Sequence, residues 1–290
     1  MPWLRLLICV LALTCASVAP ATARATTPRV SKVLVFVEEN HSLSEMKSGM
    51  PYLHKQAVKY GYANHYTAVT HPSLPNYLAI IGGSTFGVTG DGSPWQYPEP
   101  TPDVFSAAIT AGRTAKAYLE SMPSNCDKTN SGSYAARHNP WVYFPGDAAK
   151  CAHNDMPSGT TSSGKLRQAI VGGVLPTVGW VTPNIMHDGH SGTLAAADAW
   201  LKNWLALIYA GPDWKAGRLA VIVTADEDDY SQNNAVLTVV LHPSQAGHVV
   251  SRAINHYSLT GLLTQVAHAP CIRHGCGAAN LAAAFGLPIR

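Results

Sequence analysis

The chain has 290 residues, 47% of them apolar and 13% charged, with a formal net charge of +3. That composition suits one large core, and the charge is too small to draw nucleic acid by bulk electrostatics. Beyond a short run at the start, no stretch approaches the roughly 20 apolar residues of a membrane span, so no stable membrane anchor is expected.

In chain order, residues 1–25 read as a signal peptide: Arg5, an apolar run of about a dozen positions, then the small-x-small triplet Ala23, Arg24, Ala25. Cleavage near Ala25 predicts a secreted or extracytoplasmic single domain over 26–290. Without Arg5 and Arg24, 18 Lys plus Arg face 17 Asp plus Glu. Cys9 and Cys15 leave with the leader, and Cys126, Cys151, Cys271 and Cys276 remain. An even number in an exported chain argues for disulfides. Three connectivities are possible, and loop closure favours Cys126 with Cys151 and Cys271 with Cys276.

VLVFV (33–37) is a continuous apolar, β-branched run, the pattern of a strand buried on both faces of a parallel sheet. TAKAYLE (114–120), VGWVT (178–182), LAVIVTA (219–225) and AVLTVVL (235–241) are further strand candidates. PYLHKQAVKYG, PNYLAIIG, AAADAWLKNWLALIY and HYSLTGLLTQVA have helical spacing with Gly or Pro near their ends. Strand and helix alternate, which predicts an α/β fold with a mostly parallel central sheet flanked by helices. Residues 84–102 and 121–164 are rich in Gly, Ser, Pro, Asn and aromatics without a period. They are expected to be long loops walling a pocket at the carboxyl edge of the sheet. Their Trp95, Tyr97, Trp141, Tyr143 and Phe144 are read first as loop packing and second as contacts for a lipid or ring.

The chemistry-bearing residues follow strands. Glu39 and Asn40 come after the first, and Asp226 and Glu227 follow LAVIVTA. Carboxylates packed into one cleft raise each other's pKa unless a cation neutralises them, and hard oxygen donors suit Mg, Ca or Mn without excluding Zn. In THPSLPNYLAIIGG, Ser73 is expected just before a helix starting around Pro75, where an anion would meet free backbone N–H groups. Alone, such a serine is a helix cap. His187 and Asp188 in PNIMHDG, and His256 in NHYSL, could supply a second metal site, or bind phosphate and protonate a leaving group.

Glu39 with Asn40, HPSLPNYLAIIGG, PNIMHDG followed by DAWL, TADEDD and NHYSL occur in an order that resembles bacterial phosphoesterases of the alkaline phosphatase superfamily. These include secreted acid phosphatases and phospholipases C. YAARHNPWV (134–142) looks like the mycobacterial acid phosphatases that act on phosphoinositides. The resemblance spans about residues 33–268 and implies an alkaline-phosphatase-like fold and a divalent metal cofactor. It implies Ser73 as nucleophile, and Glu39, Asn40, Ser73, Asp226 and Glu227 as metal ligands. His187, Asp188 and His256 would line the opposite side of the phosphate as a second metal site or proton donors, with Arg137 and His138 as phosphate contacts. The substrate it implies is a small-molecule or lipid phosphoester, a monoester cleaved through a phosphoserine. A phospholipase C-type diesterase would use the same residues, and a binding protein would keep the scaffold without turnover.

Overall fold

The computed structural model describes Met1 and residues 29–289. The rest of the expected leader, with Cys9 and Cys15, lies outside the described residues. The elements in chain order are β1 (Lys32–Glu38), α1 (Leu43–Gly49), α2 (Pro51–Lys59), β2 (Gly61–Ala63), β3 (Tyr66–Thr67), α3 (Ser73–Gly82), α4 (Val104–Thr110) and β4 (Ala115–Leu119). Then come α5 (Ala148–Asn154), β5 (Asp155–Pro157), α6 (Lys165–Val171), β6 (Val178–Thr182), α7 (Leu194–Ala210), α8 (Pro212–Lys215) and β7 (Leu219–Ala225). β8 (Thr238–Leu241), β9 (His248–Val250), β10 (Ile254–Asn255), α9 (His256–Ala267) and α10 (Leu281–Phe285) complete the chain.

Eight strands form one sheet in the order β5-β4-β6-β1-β7-β8-β2-β9. From β5 to β7 every neighbour is parallel. β8 runs antiparallel to both β7 and β2, so the expected mostly parallel α/β sheet holds with one reversed strand. β1 and β7 lie at its centre, and all seven residues of LAVIVTA are buried, as a strand covered on both faces requires.

The two covering layers follow from side-chain alternation. Val35 is in register with Trp180, so Phe36 and Trp180 point to opposite faces. Phe36 meets Trp200 of α7 edge-on. Trp180 meets Tyr77 of α3 and Phe105 of α4. α7 gathers α1, α2, α6 and α8 on its side, whereas α9 gathers α3, α4 and α10 on the other.

Some expectations are corrected here. The segment 121–164 is not all loop: it holds α5, the edge strand β5 and short 3-10 turns at Ala136–His138, Pro140–Tyr143 and Pro145–Asp147. Of AVLTVVL only Thr238–Leu241 is strand, because pairing with β7 begins at Val239. α4 was hidden by its brevity, although Asp103 and Ser106 form a capping box at its start. Both locally favoured disulfides, Cys126–Cys151 and Cys271–Cys276, are formed. Among the loop aromatics, Trp141, Tyr143 and Phe144 are buried as packing residues, but Trp95 is 66% exposed.

Candidate active site

The parallel strands end on one edge of the sheet, and the backbone ties three of those ends together. Glu39 N–H donates to the Asp188 carbonyl at 2.7 Å, and Asp226 N–H donates to the Glu38 carbonyl at 3.0 Å. Asn40 adopts a left-handed backbone (φ 47°), which asparagine tolerates. Its N–H donates to Asp226 Oδ1 at 3.0 Å.

α3 approaches this edge with its N-terminus. It begins at Ser73, two residues earlier than Pro75, with Pro72 as cap residue and no side-chain cap bond. Ser73 is therefore the first helical residue rather than a capping serine. The helix start offers an anion less than expected, because Pro75 has no N–H and Leu74 N–H donates to Asp91 Oδ1 at 2.9 Å. Asn76 ties down the preceding turn: its Oδ1 accepts from Val69 and Thr70 N–H, and its Nδ2 donates to the Thr70 carbonyl and to Glu227 Oε2.

Ser73 Oγ lies 3.1 Å from Glu39 Oε2, 3.1 Å from Asn40 Oδ1 and 3.3 Å from Glu227 Oε1. A hydroxyl has one proton and cannot satisfy three acceptors at once. Tyr77 OH donates to the other Glu39 oxygen. The Tyr77 ring stacks on His138, a buried imidazole whose Nε2 lies 3.3 Å from Glu39 Oε2 and whose Nδ1 lies 3.2 Å from Asp188 Oδ2. Neither contact is aligned as a hydrogen bond, so both ring nitrogens are buried without a partner. Asp188 Oδ2 and Asp226 Oδ2 are orphaned in the same way.

Burial sets the charge state. It pushes Glu39 well up, helped by Asp226 and Asp188. Burial also pushes Asp188 and Asp226 up to about 7, and it pushes Glu227 up to about 9 with Asp226 adding repulsion. His138 is held well below the usual histidine range, by burial first and then by Arg137, so its imidazole is neutral. Clustered carboxylates, a neutral imidazole and orphaned buried oxygens are the donor set a divalent cation satisfies, because its charge would offset the repulsion. Glu39, His138 and Asp188 bring ligand atoms within 4.8 Å of one another. Of the expected set, Glu39, Asn40 and Glu227 lie on the Ser73 hydroxyl, and Asp226 joins them through Asn40 N–H.

Two expected residues, His187 and His256, do not face Ser73. His187 is turned to Glu120, 3.0 Å from Nδ1, and stacks on Trp200. His256 is buried beneath the edge with Nδ1 on Tyr66 OH and Nε2 on the Asp226 carbonyl, so it positions Asp226 and leaves no nitrogen for metal or phosphate. Arg137 contacts His190 through Nη2 at 3.0 Å. Conversely, sequence reasoning passed over His71, which lies 2.9 Å from Glu227 Oε2 and 3.1 Å from Asp228 Oδ1, its ring stacked on Tyr230. It passed over Asn76, Tyr77 and Asp91 as well. His71, Asn76 and Tyr77 all sit within THPSLPNYL, where polar residues interrupt an otherwise apolar helix and were the available signal.

The model of the phosphoesterase family matches residues 36–268. The phosphatidylinositol-3-phosphatase of Mycobacterium tuberculosis is 32% identical over 82% of this chain and 77% of its own length. An acid phosphatase of Aspergillus fumigatus is 29% identical over 61% of this chain, which spans 40% of that protein. A solved protein of the alkaline phosphatase superfamily from Vibrio parahaemolyticus superposes with a TM-score of 0.58 at 10% identity, covering 86% of this chain and 70% of its own, a likeness of fold. The match encloses Glu39, Ser73, His138, Asp188 and Asp226, and on that ground the chain belongs to the phosphoesterase family, an enzyme of phosphoric ester hydrolysis on an alkaline-phosphatase-like fold.

Proposed function

We propose that the chain is an exported, metal-dependent phosphatase that hydrolyses phosphate monoesters, phosphoinositides among them, through a phosphoserine on Ser73. One observation carries the reading: a serine hydroxyl at a helix start lies 3.1–3.3 Å from three acceptors, Glu39, Asn40 and Glu227. Two disulfides support export, and no helix among the described residues is long and apolar enough to cross a membrane. The phosphoinositide substrate is supported by the mycobacterial relative.

When bound, a divalent cation (Mg, Ca, Mn or Zn) supplies charge that lowers the hydroxyl pKa and offsets the phosphoryl oxygens. Glu39, Asn40, Asp226 and Glu227 would hold it beside Ser73, and His138 with Asp188 adds a second set of ligands next to Glu39. Ser73 Oγ gives up its proton to Glu227 and attacks phosphorus in line, forming one P–O bond as the bond to the leaving oxygen breaks. His71 is partly exposed beside Glu227 and delivers a proton to that oxygen. Water, giving a proton back to His71, then attacks the phosphoserine while Glu227 returns its proton to Ser73 Oγ as the P–O bond to the serine breaks, which releases phosphate and restores Ser73.

The test is phosphate release from para-nitrophenyl phosphate before and after EDTA, with each metal restored in turn. Activity should vanish on chelation and return with at least one metal. Ser73→Ala should fold normally and lose at least a thousandfold in kcat; activity within tenfold of the parent sinks the nucleophile assignment. Faster turnover of a bis-aryl diester than of the monoester would replace the reading by a phosphodiesterase. Absence of turnover with every metal would leave a binding protein.

A further inference from the structure

A cavity of about 260 Å³ lies between the turn 91–95 and residues 128–137. Two of its lining residues reach the Ser73 site. Asp91 holds Leu74 N–H, next to the nucleophile, and Arg137 precedes the imidazole that lies between Glu39 and Asp188. Its other walls carry Trp95, Lys128, Asn130 and Tyr143.

These walls are held in place, and some of their polar groups are left over for a ligand although Arg137 Nη2 contacts His190. Trp95 stays 66% exposed while the aromatics of the facing loop are buried, and the turn that carries it is fixed where Tyr143 OH donates to the Gly92 carbonyl at 2.7 Å. On the opposite wall, Cys126 is disulfide-bonded to Cys151, Tyr134 OH donates to the Asp127 carbonyl at 2.6 Å, and Thr129 N–H donates to Asp127 Oδ1 at 2.9 Å. Lys128, between these anchors, forms no ion pair among the described residues, where lysine pairs are made by Lys32 and Lys150. Arg137 Nε is buried with no partner. Asn130 spends Oδ1 on Ala136 N–H at 2.8 Å, which leaves its amide hydrogens for a ligand.

The geometry points to this cavity as the leaving-group subsite, built for a polyol ring that carries a second anionic group. The inference rests on the phosphatase reading of Ser73. The ring lies over the Trp95 face, its hydroxyls meet Asn130, and the second anion pairs with Lys128. Asp91 also lines the cavity and opposes an anion near it. Its carboxylate is tied to the Ser73 end by Leu74, so a second anion is driven towards Lys128. The ring compound is either a lipid headgroup or a free cyclitol phosphate.

The holoenzyme is assayed on β-glycerol phosphate, on soluble inositol 1,3-bisphosphate and on phosphatidylcholine vesicles containing phosphatidylinositol 3-phosphate. The readout is the ratio of kcat/KM on each ring substrate to that on glycerol phosphate. Lys128→Ala and Trp95→Ala should each lower that ratio about tenfold, the size of one lost charge-assisted contact, mainly through KM. Lys128→Arg and Trp95→Phe should retain most of it. The arm that responds, soluble or vesicle, identifies the source of the ring. A ratio unchanged within twofold in both alanine variants, on both sources, overturns the proposal. Calorimetric binding of inositol 1,3-bisphosphate to Ser73→Ala, alone and combined with Lys128→Ala or Trp95→Ala, separates the two readings. Should the parent enzyme turn over none of the substrates, the phosphatase reading fails. The cavity proposal then stands if Kd weakens about tenfold in the combined variants, and falls if Kd is unchanged or no binding occurs.

Discussion

Two histidines divide the chemistry at the scale of single residues. His138 is fully enclosed, and its ring nitrogens face Glu39 and Asp188 without a hydrogen bond, so it suits a ligand role. His71 is 20% exposed at its side chain and lies between Glu227 and Asp228, where a proton can enter from solvent. If His71 protonates the leaving oxygen, its loss should matter most when that oxygen is a poor leaving group. His71→Ala is therefore expected to lower kcat about a hundredfold or more on an alkyl phosphate, and several-fold less on para-nitrophenyl phosphate. Equal losses on both esters would assign His71 to positioning. The family resemblance marked His138 as a phosphate contact, whereas nothing marked His71 among the 13 histidines; a ring's role depends on what the fold places around it.

Among the elements, the turn between β6 and α7 shows how a loop holds a carboxylate still. Asn184 N–H donates to Glu120, Met186 N–H donates to Asn184 Oδ1, and Ser191 and Gly192 N–H both donate to the Ile185 carbonyl. His187 pairs with Glu120 and Trp200 Nε1 donates to it at 2.9 Å, so the histidine expected in the site clamps the turn from behind. Asp188 is thereby delivered to His138. Gly192 makes this packing possible, because a Cβ there would lie 1.9 Å from the Met186 carbonyl oxygen, a backbone atom that cannot give way alone. Gly192→Ala should cost about 3 kcal/mol or more in urea unfolding and lower kcat by moving Asp188. A stability change under 1 kcal/mol would mean the turn repacks freely. At the other end of α3, Gly83 takes the left-handed conformation (φ 69°) that stops the helix after Gly82.

Across the whole molecule, stability should depend on pH through carboxyls remote from Ser73 as well as through the site. Asp155 opens the edge strand β5, fully buried, with Oδ2 accepting from Asn139 at 2.7 Å and Oδ1 unpaired. Burial pushes it up to about 7, the Asn139 hydrogen bond opposes this, and Asp127 adds to it. A raised carboxyl pKa means the folded state holds the proton more tightly than the unfolded chain. Its stabilising share is complete below about pH 4 and is lost as pH rises towards 7. Asp155→Asn removes that dependence. The parent should lose on the order of 2–4 kcal/mol relative to the variant between pH 4 and pH 7, read from urea midpoints. Parallel pH profiles for the two proteins would show that Asp155 keeps no such proton.

Much of this architecture was legible in residue order. VLVFV and LAVIVTA announce strands buried on both faces, the alternation with helical segments announces a parallel α/β sheet, and closely spaced cysteines announce local disulfides. Acidic residues after β1 and β7 and the serine before PNYLAIIGG marked where chemistry would gather. These signals are local: side-chain periodicity, turn residues and short loop closures are set by neighbours along the chain. β5 escaped because three residues carry no period, and the separation of His138 and His71 from His187 and His256 escaped because it follows from strand order. With β4, β6, β1 and β7 side by side, the segments after them converge on Ser73. Pairings between distant strands create that order, and it brings Glu39, Asp188, Asp226 and Glu227, far apart in sequence, close enough to raise each other's pKa.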